Sequence, residues 1–179
     1  GRLISRRPAA AVPFLLDALG LYNVLEHDGW QTALDDGFLE SPQIEQIRHV
    51  AYEVLLWLAD DVVRREHEHP SQHVISREAA AQQGLVYLQK AAVAQAPTQA
   101  LFVLRARCHK VLGQDEAAQA DERLASKTAP TIAIDHFLRG QAALNAKKLT
   151  EGVEAFEAAL RVEPTHYWSL MKMGYCFGD

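Results

Sequence analysis

Histidines and paired aspartates are the residues of this chain best suited to chemistry, and the sequence holds eight of the former. His67, Glu68, His69 and His73 fall within seven residues, a density of imidazole and carboxylate that can in principle supply zinc ligands. No cysteine lies beside them, and no His-Glu-x-x-His spacing puts two imidazoles on one helix face. Pro70 interrupts the run, which reads as a polar linker, so no metal is expected there. Asp35-Asp36 and Asp60-Asp61 offer carboxylates for acid–base work. Neighbours on a helix point about 100° apart, so Asp60 and Asp61 are not expected to share a proton-transfer site. His109 and His136 fall in amphipathic stretches, where packing or a polar contact accounts for them. No Gly-rich phosphate loop, nucleophile elbow or dinucleotide fingerprint occurs. The chain is expected to be non-catalytic and to need no cofactor.

Composition sets the remaining bounds. At 179 residues and 49% apolar, the chain can bury one sizeable core or two small ones. No apolar run is long enough to span a bilayer, so no membrane partner is expected. The net charge of −5 is uneven, about −6 over residues 1–70 and +1 over 71–179. No basic block is present, which argues against nucleic acid. Cys108 and Cys176 lie in helical patterns and are expected as buried thiols of a reducing, cytoplasmic compartment. The chain opens without Met and stops inside an apolar pattern, and is expected to be a segment of a longer protein.

The elements that must carry any site are helices. Pro8 and Pro13 suit a helix start, and Phe14, Ala18, Leu21 and Leu25 recur at helical spacing, which predicts a helix over 8–28. Ser41-Pro42 is a cap followed by Pro in the first turn, opening a helix over 42–66. Its apolar residues cover two faces, one through Ile44, Ile47, Ala51, Leu55 and Leu58, another through Leu56, Trp57 and Val63, so it is expected to pack on two sides. Residues 67–75 form the linker, and Ser76 caps a helix over about 77–95.

Three Pro-Thr dipeptides then mark a period: Pro97-Thr98, Pro130-Thr131 and Pro164-Thr165, spaced by 33 and 34 residues. A fixed period in the thirties indicates helical hairpins stacked into a solenoid. Within 133–166, Gly140, Gly152 and Ala159 supply the small residues that let two antiparallel helices approach closely. Phe156 and Leu160 fill the space towards the next hairpin, and Pro164 ends the second helix.

This stretch resembles a tetratricopeptide repeat, whose pattern of about 34 residues has small residues, an aromatic and a proline at these positions. It departs at His136 and Ala143, where the family often has Trp and Tyr. Residues 99–132 match at Ala106, Gly113, Ala118, Ala125 and Pro130, with Glu122 in place of the usual aromatic. Residues 77–97 resemble the end of an earlier repeat and 167–179 the start of a later one. The expected fold is therefore all-α: an N-terminal helical segment (1–66), a linker (67–75) and a solenoid of two full and two partial repeats (76–179).

The resemblance implies a protein or peptide ligand held on the concave face. The positions it carries over are Arg107, Lys110, Phe137, Gln141, Asn145, Trp168 and Tyr175, with Arg107 and Lys110 as partners for an acidic side chain or carboxylate. The lysine–asparagine clamp of chaperone-binding members is not present. Ala18–Val63 also resembles the helical region that follows the catalytic domain in some bacterial serine/threonine protein kinases. That implies an alternative role as a regulatory or substrate-docking arm. Self-association through Leu170, Met173 and Phe177 at the exposed solenoid end is a third expectation.

Overall fold

The computed structural model describes residues 8–34, 38–68 and 75–177. Among them the secondary structure is helical: α1 Pro8–Gly20, α2 Trp30–Leu34, α3 Ser41–Glu68, α4 Arg77–Ala94, α5 Gln99–Val111, α6 Asp115–Lys127, α7 Ala133–Asn145, α8 Leu149–Val162 and α9 Tyr167–Phe177. Helices pair with their neighbours in the chain: α3 with α4, α5 with α6, α7 with α8, and α8 with α9. The chain divides into two compact units, Gly1–Ala96 and Pro97–Asp179. The expected 67–75 linker falls between α3 and α4 in the chain, and these two helices pack on each other within the first unit, where Ala80, Ala81, Ala91 and Ala94 of α4 are buried. His69, Pro70 and His73 of that linker lie outside the described residues, as do Asp35 and Asp36.

In the first unit, α1 stops well short of the expected residue 28. Asn23 has φ 52°, the left-handed conformation, and its N–H donates to the Gly20 carbonyl at 3.1 Å. The Val24 N–H reaches back to the Leu19 carbonyl at 3.1 Å. This is the Schellman arrangement, and the two side chains it brings together, Leu19 and Val24, are both buried. The continued apolar spacing of Leu21 and Leu25 therefore belongs to the turn, and Leu21 is exposed.

Helix α3 is 28 residues long, about 42 Å. Its cap is not Ser41. The Glu40 N–H donates to Gln43 Oε1 at 2.9 Å, while the Glu40 carbonyl accepts from the Gln43 and Ile44 amides. Pro42 sits in the first turn, where a missing N–H costs nothing. Residues 55–61 are buried without interruption, nearly two helical turns, so this part of α3 is covered on every side. Asp60 and Asp61 are inside that stretch. One guanidinium serves both: Arg64 Nη2 lies 2.9 Å from Asp61 Oδ1 and Arg64 Nε 3.5 Å from Asp60 Oδ2. Ser76 caps α4 as expected, its Oγ accepting from the Ala79 N–H at 3.2 Å.

The second unit repeats its element boundaries. Helices α5 and α6 begin at 99 and 115, α7 and α8 at 133 and 149, the same elements displaced by 34 residues. The turns between them agree too. Gly113 (φ 69°) and Lys147 (φ 60°) are equivalent left-handed residues. Both sit in Schellman turns, closed by Gln114 N–H to His109 O and by Lys148 N–H to Ala143 O, each at 2.9 Å. Between α7 and α8 the small residues face one another. A Cβ built on Gly140 would lie 2.5 Å from Phe156 Cε1, and one on Gly152 would lie 2.7 Å from Leu144 Cδ2 and 3.4 Å from the Gly140 carbonyl oxygen. Phe156, with no exposed surface, fills the gap this leaves and stands 5.8 Å from Phe137 between ring centres.

Candidate functional site

The first chemical feature of the second unit is a carboxylate that serves two helices. Asp135, in the first turn of α7, is buried. It accepts from the Thr131 amide at 2.9 Å and the Ile132 amide at 3.4 Å, which caps its own helix. It also accepts from the Ala100 amide at 3.0 Å and the Thr98 hydroxyl at 2.5 Å, which caps α5 from outside. A carboxylate set against two helix N-termini is stabilised by both dipoles. Two of the three Pro-Thr dipeptides thus converge on one side chain.

Beside Asp135 lies a cavity of about 350 Å³ between α5, the end of α6 and α7. Ala100, Val103 and Leu104 of α5, Ala125 and Ser126 of α6, and Leu138 and Ala142 of α7 form its apolar wall and floor. Arg107 and Arg139 are its cationic residues. With Asp135 already occupied by four donors, the lining carries a net positive charge. Arg139 is exposed and makes no ion pair among the described residues. Three residues before it, His136 has its pKa held below the usual value, first by burial and then by the charges of Arg139 and Arg161, against the opposing pull of Asp135.

The expected groove residues fall into separate places. Arg107 lines the cavity together with Ala100 and Val103. Lys110 does not: it is paired with Glu122 of α6. Phe137 is fully buried and Gln141 is buried, so neither presents a surface to a partner. Phe137 packs between two rings, Phe156 at 5.8 Å and His166, just before α9, at 5.6 Å. Asn145 is exposed at the end of α7. Trp168 is half-buried against Tyr167, ring centres 5.1 Å apart, and Tyr175 is exposed. Leu170 is exposed, Met173 is half-buried, and the Phe177 side chain lies outside the described residues. Arg139 was not foreseen. Its signal was its spacing: it follows Asp135 by four residues and so shares a helix face with it.

The other polar features are structural. Arg105 holds the buried Asp121 with two bonds, Nε at 2.8 Å and Nη2 at 2.5 Å, and this raises the guanidinium pKa further. His109 contacts Gln114 Oε1 at 2.6 Å through Nδ1 and Asp121 at 3.6 Å through Nε2. In the first unit, Lys90 bonds Asp28 at 2.7 Å and holds its carboxyl below the usual range. Cys108, buried, and Cys176, partly buried, form no disulfide. No helix among the described residues is long and apolar enough to cross a membrane. No protein-family model matches the chain, and no curated protein or solved structure does so either.

Proposed function

We propose that the chain is a binding scaffold of the tetratricopeptide kind, and that it takes a peptide segment of a partner protein on its second unit. The observation that carries this reading is the cavity between α5, α6 and α7, apolar within and flanked by Arg107 and Arg139. Apolar surface with a few placed charges is what peptide recognition needs: burial gives affinity and the charges orient the ligand. Three features support the architectural half. They are the 34-residue displacement of helix pairs, the matching left-handed turns, and the close approach at Gly140 and Gly152. Each is what a stack of like hairpins requires.

The test is a random peptide library displayed against the intact chain, with selected peptides titrated calorimetrically. Arg107→Glu is expected to weaken an acidic selected peptide about tenfold or more while leaving the chain folded. Failure to enrich any peptide, or equal binding by both forms, removes this function.

A further inference from the structure

The cavity has a cause in the sequence, and the cause says what fills it. Because the two hairpins are related by 34 residues, each lining position on α5 and α6 has a counterpart in the second hairpin. At three of them the first hairpin carries the smaller side chain: Ala100 where the second has Ile134, Val103 where it has Phe137, and Ser126 where it has Leu160. The counterparts Ile134 and Phe137 are fully buried and Leu160 is half-buried. The aromatic that plugs the second hairpin, Phe156, is replaced by Glu122, which turns outward to Lys110. One more exchange adds charge: Arg107 stands where the second hairpin has the buried Gln141.

Gln99 and Arg107 are larger than their counterparts Ala133 and Gln141, but Gln99 is turned to the Ala125 and Thr128 carbonyls at 3.1 and 2.8 Å, and the three smaller side chains leave a space of about 350 Å³. An apolar cavity of about 150 Å³ already takes a benzene ring, so this one has room for a large side chain. The rim is not neutral, since Arg107 and Arg139 both line it. A buried apolar side chain and a neighbouring carboxylate on the same ligand would satisfy wall and rim together.

We infer that this cavity is the anchor pocket for an acidic peptide segment, which inserts one leucine or phenylalanine side chain between the hairpins and sets flanking Asp or Glu carboxylates against Arg107 and Arg139. The inference rests on the scaffold reading above and adds the ligand's chemistry and the place it docks.

The experiment is amide-resolved NMR titration of the intact chain with amidated, acetylated pentapeptides. The probes are Glu-Asp-Leu-Asp-Glu, its phenylalanine and alanine versions at the centre, and a Gln-Asn-Leu-Asn-Gln control. The leucine or phenylalanine peptide is expected to shift the amides of Ala100, Val103 and Ser126. The alanine and uncharged peptides are each expected to bind about tenfold more weakly. Ser126→Leu and, separately, Val103→Phe restore the second hairpin's residues. Each is expected to abolish the shifts and to raise the melting temperature, since a filled cavity packs better. Two variants guard against one that merely overpacks. Arg139→Gln is expected to weaken the acidic peptide and leave the uncharged one unaffected.

Several results overturn the inference: no shifts with either apolar probe, shifts confined to other residues, or full binding by both cavity-filling variants. Library-selected peptides that bind elsewhere on the chain would remove this pocket and leave the scaffold reading standing. No peptide binding in either experiment would remove both.

Discussion

The Thr98 hydroxyl donates to Asp135 Oδ1 at 2.5 Å, across 37 residues, and joins the start of one helical hairpin to the start of the next. The same carboxylate accepts three backbone amides, so it ends two helices that would otherwise leave buried donors unpaired. Asp135→Ala strands those donors and is expected to cost about 3 kcal/mol. Thr98→Val, which loses one bond, is expected to cost about 1 kcal/mol. Urea unfolding of both variants checks the ranking; an Asp135 variant as stable as the parent would remove the carboxylate from this role.

Gly140 has no room for a side chain. Its absent Cβ would meet the Phe156 ring at 2.5 Å, so Gly140→Leu is expected to force α7 and α8 apart and cost more than about 2 kcal/mol. Trimming the ring should return part of that, so Gly140→Ala with Phe156→Leu is expected to be less damaging than the sum of the two single changes. A double-mutant cycle by thermal unfolding measures the difference. Strict additivity would mean the two residues do not touch.

Lys147 occupies a backbone conformation in which its repeat partner is Gly113. A side chain there costs roughly 1 kcal/mol. Lys147→Gly is therefore expected to raise stability by up to about 1 kcal/mol, and Gly113→Ala to lower it by a similar amount. The opposite signs are the diagnostic, and melting curves of the two variants read them directly.

His136 sits where a proton is unwelcome, through burial and the charge of Arg139 and Arg161. In the unfolded chain the imidazole protonates near its ordinary pKa of about 6.5. Below that value the unfolded state binds the proton more readily than the folded one, so stability falls as pH drops. His136→Gln is expected to flatten this dependence, losing less stability than the parent between pH 7.5 and 5.5. Parallel slopes in urea titrations at the two pH values would show that His136 is not the titrating group.

The all-helical architecture and the pairing of neighbouring helices were legible in the sequence because their markers are local: Pro-Thr before α5, α7 and α9, and small residues where α7 and α8 cross. Position within a helix was legible; which face a later element covers was not. Phe137 looked available because nothing near it in sequence showed that the His166 ring would pack on it, and the burial of Gln141 was likewise not visible from its neighbours. The end of α1 was hidden for a related reason. Apolar spacing continues past Gly20, and only the conformation of Asn23 reveals that Leu19 and Val24 meet in a turn. Asp135 drew no notice because an isolated acidic residue in a first helical turn is ordinary. Its importance comes from Thr98 and Ala100, which only the tertiary fold brings to it. Ser126 and Val103 became informative once the 34-residue register was fixed in space and their larger counterparts could be seen in place.

Asp135 is also part of the cavity wall. The carboxylate that fastens the two hairpins together therefore borders whatever occupies the pocket, and an occupant that prefers the closed junction would be linked to it. An occupant that touches both hairpins acts as a second fastener and slows their separation. A change that loosens the junction at Thr98 weakens the occupant's hold only as far as it lowers the fraction of molecules whose junction is closed. Grip and assembly would then be one cooperative property, tunable from either side.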